Sequence, residues 1–222
     1  MMSIQANFQE IKANIANAAQ GREVKIVGVS KTVPPERIAE AFQAGITIFG
    51  ENRIQEALPK IQALTGMGIE WHFVGHLQTN KAKDAVRYFS WIHSVDSAKL
   101  LHAVENEAAK QGKRVSLLLE VNLGGEESKF GFAEEQLAAG LEASRTVQWA
   151  TVCGLMIIPP YSEDPQEVRP FFRRMREMRD RFSPEYPAIK ELSMGMSHDY
   201  VVAVEEGATM VRIGTALFGA RS

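Results

Sequence analysis

Short apolar runs rich in β-branched residues alternate along this chain with longer segments in which apolar residues recur every three or four positions. The first pattern is typical of buried β-strands, and the second is typical of amphipathic helices. Strands are predicted at residues 24–29, 46–49, 71–74, 91–95, 115–121, 151–157, 191–193 and 210–213. Helices are predicted at residues 4–19, 36–44, 54–64, 98–110, 134–144, 168–181 and 200–206. Such strict alternation favours a parallel sheet.

The strand count decides between two parallel architectures. Eight strands joined by helical crossovers can close into a (β/α)₈ barrel, whereas an open doubly wound sheet normally has fewer strands and a Gly-x-Gly-x-x-Gly turn after the first. No such turn follows Val29. The sequence therefore predicts an α/β fold in which residues 1–222 form a single-domain barrel, with an additional N-terminal helix before the first strand.

Composition narrows the classes of function. The 222 residues are 45% hydrophobic and 23% charged, with a formal net charge of -2. Basic residues are interleaved with acidic ones, as at 167–181, so we expect a solvated helix face there and no nucleic-acid partner. The first residues lack the pattern of a secretory signal and no stretch is long enough to span a bilayer, so we expect a cytoplasmic protein with no membrane partner. The one cysteine, Cys153, excludes an internal disulfide and is predicted to be a buried structural thiol.

Lys31 is the first candidate for chemistry. By strand alternation Lys25, Val27 and Val29 share one face, and Lys31 continues that face just past the strand. Function in such barrels lies where the strands end, so the amine is predicted to point inward at the C-terminal rim. Partial desolvation there disfavours the ammonium form and favours attack on a carbonyl, which ends in a Schiff base. The alternative is a solvated loop lysine before the helix start at Pro34-Pro35.

Two further polar residues have two interpretations each. Arg212 lies between Val211 and Ile213 on the last strand, so alternation sends its side chain into the lumen, where a guanidinium needs an acceptor or a ligand. A bound ligand and a structural ion pair are equally compatible with that position. Asn52 follows the second strand, where it could either cap the next helix or face a pocket.

Two glycine-containing turns near the end of the chain predict a phosphate site. The segments 192–197 and 211–215 are each placed to open a helix directly after a short strand. Free N–H groups at a helix start attract an anion, and glycines such as Gly214 allow close approach of the backbone. Ser197 and Thr215 add hydroxyl donors. In eight-stranded barrels the loops after the seventh and eighth strands form the usual phosphate site.

Six separated motifs support this picture. They are Val29-Ser30-Lys31; Gly50-Glu51-Asn52 followed by Gln55-Glu56; His72-Phe73-Val74-Gly75 with Leu77-Gln78 and Asn80-Lys81; Ser128-Lys129 with Gly131-Phe132; Leu192-Ser193-Met194-Gly195-Met196-Ser197; and Val211-Arg212-Ile213-Gly214 through Phe218-Gly219. Together, and in this order, they resemble the pyridoxal phosphate homeostasis protein family from about the first strand to the last.

The resemblance implies a fold-type III (β/α)₈ TIM barrel, similar to the N-terminal domain of alanine racemase, that binds pyridoxal 5′-phosphate (PLP). Lys31 then matches the lysine that forms the Schiff base, and Asn52 a polar residue lining the pocket. Arg212 matches the arginine facing the pyridine nitrogen, where a cation leaves the ring a poor electron sink. Ser197, Gly214 and Thr215 fall where the family's phosphate contacts lie.

The function implied by the resemblance is to hold and supply PLP in vitamin B6 homeostasis without turnover, with PLP-dependent apo-enzymes as candidate recipients. An amino-acid racemase and an aldolase-like enzyme using Lys31 on a phosphorylated substrate are the alternatives. A two-base racemase needs a second acid/base group. The resemblance to the racemases implies that this group is a tyrosine brought by a C-terminal β-domain and a partner subunit. The chain ends three residues after Gly219, and Tyr161 is the one tyrosine expected near the rim, so we expect no racemisation and a monomer. The aldolase hypothesis lacks a placed acid/base partner.

Lys81 and Lys129 are the competitors of Lys31 for attachment of PLP. Lys81 falls at a predicted helix start, and Lys129 follows the acidic pair 126–127, which favours its charged form. His72 and His76 straddle a strand end without a cysteine or carboxylate at metal-ligand spacing. We therefore expect Lys31 to carry the cofactor and no metal to be bound.

Overall fold

Parallel strands close into a barrel in the computed structural model, which describes residues 3–124 and 130–219. The barrel strands of this described part are β1 (Lys25–Val29), β2 (Ile48–Glu51), β3 (Glu70–Phe73), β4 (Trp91–Val95), β5 (Val115–Asn122), β7 (Ala150–Met156), β8 (Glu191–Met196) and β9 (Met210–Ile213), and β6 (Phe132–Ala133) adds a short pairing at the end of β5. Around the ring β1 pairs with β2, β2 with β3, β3 with β4, β4 with β5, β5 with β7, β7 with β8, β8 with β9, and β9 with β1. The prediction of a closed (β/α)₈ barrel is confirmed.

Helices follow the strands on the outside of the ring. Within the described ranges they are α1 (Ile4–Ala19), α2 (Pro35–Gln43), α3 (Ile54–Ala63), α4 (Ala82–Tyr88), α5 (Ala98–Gln111), α6 (Glu134–Ser144), α7 (Arg169–Phe182), α8 (Tyr200–Glu205) and α9 (Thr215–Phe218), and a 3₁₀ turn (Thr79–Lys81) precedes α4. No helix of this part of the chain has both the length and the apolar character that a membrane crossing requires.

Two strands extend by two residues or more beyond their predicted ends, and helix α4 had no predicted bounds. The predicted 46–49 strand is observed at Ile48–Glu51, and the predicted 191–193 strand continues to Met196. Both extensions include polar or glycine positions that an apolar run cannot signal, but their backbone groups pair with neighbouring strands around the ring. Helix α4 has seven residues whose buried positions are Ala82, Ala85 and Val86, so two small alanines give only a weak apolar stripe.

The apolar core lies mainly between the strands and the surrounding helices. Trp71 packs its ring 6.0 Å from that of Phe49, and Phe73 packs 5.3 Å from Phe89. Because alternate strand residues point outward into this layer, the intervening residues point into the lumen. Cys153 is half-buried, whereas the sequence predicted a buried thiol, and burial raises its pKa, which disfavours the nucleophilic thiolate.

Helix α1 supports the segments that follow the last two barrel strands. Ser3 caps the helix by accepting a hydrogen bond from the Ala6 amide at 3.2 Å. The amide Nδ2 of Asn7 donates to the Leu217 carbonyl oxygen at 2.9 Å, and Nδ2 of Asn14 donates to the Tyr200 hydroxyl at 2.9 Å. The predicted N-terminal helix is therefore hydrogen-bonded to α8 and α9, the helices that follow β8 and β9.

Candidate functional site

A cavity of about 390 Å³ opens at the carboxyl ends of the strands, the end of an α/β barrel where function resides. All six residues singled out from the sequence line it, although they come from segments after four different strands. Those residues are Lys31, Asn52, Ser197, Arg212, Gly214 and Thr215. The structure brings the predicted site together in one place, while the role of each residue in binding stays a prediction.

Lys31 sits in a tight turn directly after β1. The Ser30 amide donates to the Gly50 carbonyl oxygen at 3.0 Å, and the Val33 amide donates back to the Ser30 carbonyl oxygen at 2.9 Å. Thr32 takes up a left-handed conformation with φ of 64°, which is uncommon for a residue other than glycine. The turn places the half-buried Lys31 beside Val29 on the cavity wall. Lys31 therefore lies at the cavity wall and is not the solvated loop lysine considered as the alternative.

A buried ion pair between Lys60 and Glu51 stabilises this turn. The Lys60 ammonium donates to the Ser30 carbonyl oxygen at 2.7 Å and to Oε1 of Glu51 at 2.8 Å, and the Ser30 hydroxyl donates to the same Oε1 at 2.6 Å. Glu51 is fully buried and Lys60 is 8% exposed. The sequence analysis missed this contact, although Lys60 continues the buried stripe of α3 three residues after Ala57, a position where a lysine needs an explanation.

Asn52 does not cap the following helix. Helix α3 begins at Ile54, its N-cap residue is Arg53, and no side chain donates or accepts there as a cap. Asn52 instead lines the cavity, and its amide oxygen is buried without a hydrogen-bond partner among the described residues. Gly75 makes this placement possible, because a Cβ there would lie 2.2 Å from the Asn52 carbonyl oxygen. An acceptor left unpaired in a cavity fits a ligand that brings a donor.

Arg212 points into the lumen at the inner end of the cavity and is 4% exposed. Its Nη1 donates to the carbonyl oxygen and the hydroxyl of Ser193, both at 2.7 Å, and its Nη2 donates to the Ile157 carbonyl oxygen at 2.8 Å. These partners are neutral, so the structural ion pair considered from the sequence is not formed among the described residues. Burial lowers the pKa of Arg212 to about 10, with the Asp199 and Glu120 carboxylates acting in the opposite direction. The guanidinium therefore stays a cation at neutral pH.

Ser197 joins the two glycine-containing segments. Its Oγ accepts hydrogen bonds from the amides of Gly214 and Ala216, both at 3.1 Å. With both lone pairs engaged, the hydroxyl proton of Ser197 remains to be donated, and Thr215 lies beside it on the cavity wall. Gly195 lies inside β8 with φ of 89°, and a Cβ there would clash with the Ala203 side chain at 2.6 Å. The segment 192–197 therefore continues β8 as far as Met196, and α8 begins only at Tyr200, so the prediction that this segment itself opens a helix is wrong.

The remaining predicted residues have separate outcomes. Lys81 ends the 3₁₀ turn and lines a neighbouring pocket with His76 rather than the main cavity. Lys129 and the acidic pair 126–127 lie outside the described residues. Tyr161 lines the cavity mouth and is 83% exposed. His72 faces the lumen, and the described residues contain no cluster of three or more potential metal ligands.

The basic residues of α7 form ion pairs rather than an open basic patch. Arg169, Arg173 and Arg176 all contact the carboxylate of Glu206, at 3.1 to 3.4 Å. Arg174 pairs with Glu134 on α6, and that contact lowers the pKa of the glutamate. The alternation of charge seen in the sequence therefore corresponds to a salt-bridged outer surface.

Comparison with known proteins places this geometry in a family context. A model of the alanine racemase N-terminal domain matches residues 2–222. The pyridoxal phosphate homeostasis protein of Aquifex aeolicus is 47% identical over 216 residues, covering 96% of this chain and 95% of that protein. The structure of PipY from Synechococcus elongatus with PLP bound superposes with a TM-score of 0.89 at 37% identity, covering 98% of this chain and 100% of PipY.

A more distant structure shares the fold alone. Alanine racemase from Clostridium difficile superposes with a TM-score of 0.73 at 15% identity, and the match covers 99% of this chain but 60% of the racemase chain. The barrel is therefore common to both groups, whereas substantial sequence identity extends to the homeostasis proteins.

Proposed function

We propose that this chain, which belongs to the pyridoxal phosphate homeostasis proteins within the alanine racemase N-terminal domain family, binds PLP in the cavity at the carboxyl end of its barrel and holds it for supply to other proteins. PipY, which shares its fold and 37% of its residues, has been seen with PLP bound. The candidate recipients are PLP-dependent apo-enzymes, and we infer that the chain acts as a monomer.

One observation carries the proposal. A lysine amine, an amide oxygen that has no hydrogen-bond partner among the described residues, a buried guanidinium and two hydroxyl groups line a single cavity, although they come from distant parts of the sequence. PLP supplies an aldehyde that condenses with an amine with loss of one water molecule, a phosphate, a phenolic hydroxyl and a pyridine nitrogen. Few other small molecules combine these groups.

Each residue has a distinct task in this proposal. Lys31 offers its amine to the aldehyde from a turn that Lys60 and Glu51 hold in place. Ser197 and Thr215 donate their hydroxyl protons to the phosphate, and the Gly214 amide orients the Ser197 hydroxyl by donating to its Oγ at 3.1 Å. Asn52 accepts a hydrogen bond from the ring substituents, and Arg212 donates toward the ring nitrogen. The ring is thereby oriented and fixed at both ends.

The identity of Arg212 favours storage over turnover. A cationic donor beside the pyridine nitrogen disfavours protonation of that nitrogen, and an unprotonated ring withdraws electrons less well from a substrate carbanion. Arg212 stays cationic at neutral pH because its pKa is about 10 even after burial. We therefore infer that the bound cofactor is retained rather than used for amino-acid chemistry by this chain.

Borohydride reduction tests the site. The purified protein is loaded with PLP, reduced and digested, and the labelled peptide is identified by mass spectrometry. We expect the label on Lys31, and we expect Lys31→Ala to lose both the label and the visible absorption band while unfolding at the wild-type denaturant concentration, because loss of a rim side chain leaves no core cavity. Lys81→Ala is the matched control and should keep both. A label on Lys81 or Lys129 with Lys31 unmodified would overturn the site assignment.

A chiral assay separates storage from racemisation. Single-enantiomer alanine and several other amino acids are incubated with the PLP-loaded protein, and the opposite enantiomer is measured. We expect no turnover that depends on Lys31. If turnover disappears in both Lys31→Ala and Tyr161→Phe, the protein is a racemase, because Tyr161 is the tyrosine of the described residues that lines this cavity.

A further inference from the structure

A continuous row of polar side chains runs through the lumen beneath the cavity. From the cavity downward, Nη1 of Arg212 lies 2.7 Å from the Ser193 hydroxyl, whose Oγ lies 2.9 Å from Nδ1 of His93. Nε2 of His93 then lies 2.9 Å from Nδ1 of His72. Nε2 of His72 faces Oε1 of Glu70 at 3.3 Å, in a looser contact. These five residues, contributed by β3, β4, β8 and β9, are called the lumen column below.

The chemistry of arginine sets the direction of the hydrogen bonds. A guanidinium can only donate, so the Ser193 oxygen accepts from Arg212. The hydroxyl proton of Ser193 then has His93 Nδ1 as its acceptor among the described residues. A neutral imidazole that accepts at Nδ1 carries its proton on Nε2, so His93 donates to His72, and His72 donates in turn toward Glu70. The hydrogen bonds that link the lumen column therefore all run in one direction, from Arg212 toward Glu70.

The surroundings of the two histidines keep them neutral, as this arrangement requires. Burial lowers the pKa of His93 well below its usual value, and the charges of Arg212 and Lys25, together with any proton gained by His72, act in the same direction. Burial also lowers the pKa of His72, although Glu70 opposes this. The contact with His72 lowers the pKa of Glu70, whose side chain is 43% exposed at the amino-terminal mouth of the barrel.

The lumen column is flanked by a second charged pair at that mouth. Lys25 lies 2.7 Å from Glu191 and places its ammonium 5.3 Å from the centre of the Trp91 ring. The Trp91 ring in turn stacks on His72, with ring centres 5.5 Å apart. Because aromatic and charged groups close the lower end, the column has little room for a different arrangement of its side chains.

We propose that Ser193, His93 and His72 are positioning residues, which hold the Arg212 guanidinium in the orientation that faces the bound cofactor ring through hydrogen bonds that all run from Arg212 toward Glu70. Two backbone carbonyl groups, of Ser193 and Ile157, fix the plane of the guanidinium from other directions. The column adds the one side-chain acceptor that this end of the cavity offers to Arg212 among the described residues. The identity of the ligand rests on the proposed function, whereas the direction of the hydrogen bonds in the lumen column does not.

Nitrogen-15 NMR of histidine-labelled protein without PLP tests the direction. We expect His72 and His93 to be neutral at pH 7, with the proton on Nε2 and an accepting Nδ1 in both rings. In Ser193→Ala the Nδ1 signal of His93 should shift toward that of a free acceptor, and Ser193→Thr should restore it because the hydroxyl is retained. His102→Gln on the exposed face of α5 is the control and should change neither ring. A proton on Nδ1 of His93 would overturn the proposal, and that measurement needs no variant to fold.

Titration with PLP tests the positioning role. We expect Ser193→Ala to weaken PLP retention about ten-fold, because Arg212 loses one hydrogen bond to a residue that does not itself contact the ligand. The absorption maximum of the bound cofactor should also shift in Ser193→Ala and return in Ser193→Thr, since the position of a charge near the ring nitrogen tunes the ring. An unchanged maximum in Ser193→Ala would refute the role. If wild-type protein carried no label on Lys31 after reduction, the proposed function would be wrong. The NMR measurement would still test the direction of the hydrogen bonds independently.

Discussion

Replacing Lys60 by methionine tests how the turn that presents Lys31 is stabilised. The Lys60 ammonium is 2.8 Å from Oε1 of Glu51 and 2.7 Å from the Ser30 carbonyl oxygen. Methionine keeps most of the length of the side chain but removes the charge, so the Glu51 carboxylate stays fully buried with the Ser30 hydroxyl as its remaining donor. Its second oxygen, Oε2, already has no hydrogen-bond partner among the described residues.

The expected cost follows from this geometry. Removing one partner of a buried ion pair costs about 3–5 kcal/mol, because an uncompensated charge remains in a medium that solvates it poorly. That is a large part of a total stability on the order of 5–15 kcal/mol. Each kcal/mol shifts the melting temperature of a chain of this size by roughly 2–4 °C, so the midpoint of Lys60→Met should fall by roughly 6–20 °C.

Urea unfolding of the protein without PLP, followed by circular dichroism, measures the loss. Lys110→Met is the matched control, since Lys110 pairs with Glu107 on α5 with its side chain 68% exposed and should cost less than about 1 kcal/mol. The double variant Glu51→Leu with Lys60→Met removes both charges and should lose less stability than Lys60→Met alone. PLP attachment to Lys31 should also fall in Lys60→Met, because the Ser30 carbonyl loses the donor that holds the turn.

Two outcomes would refute this reasoning. If Lys60→Met unfolded within 1 kcal/mol of the wild type, the pair would contribute no more than a surface pair. If the double variant lost the sum of the two single losses, the two charges would not be coupled across the structure.

Two further predictions concern the cavity and its pH dependence. Ser197→Ala and Thr215→Val should each weaken PLP retention about ten- to hundred-fold in an equilibrium titration without removing the label from Lys31, because each loses one hydroxyl donor to a charged group; unchanged retention in both would contradict the phosphate assignment. Burial and the nearby Asp96 raise the pKa of Glu120 to about 7 although Arg212 opposes them. The folded protein thus binds this proton more tightly than the unfolded chain, so stability is lost as pH rises from about 4.5 through 7. Glu120→Gln should match the wild type near pH 5 and exceed it by about 1–3 kcal/mol at pH 8, as measured by urea unfolding, and an equal difference at both pH values would contradict the assignment.

The sequence by itself determined the barrel and the end of the barrel at which the candidate site residues lie. The periods of strands and helices are local properties of the sequence, and eight strands that alternate with helices favour a closed parallel ring. Because parallel strands all end on the same rim, a polar residue just past a strand is predicted to reach that rim whatever the crossover lengths are. Lys31 and Thr215 could therefore be assigned to one end of the barrel without any knowledge of their contacts.

Only the tertiary structure decided which polar residues meet. Asn52 follows a strand and precedes a helix, so its local sequence suited a cap. In the structure Gly75 leaves room for the Asn52 backbone, and the Asn52 amide oxygen has no hydrogen-bond partner among the described residues. The Lys60 and Glu51 pair joins a helix to a strand end, and the lumen column joins four strands spread over more than a hundred residues. Such contacts depend on distances across the barrel, which are set by how the whole ring closes and not by any local pattern of residues.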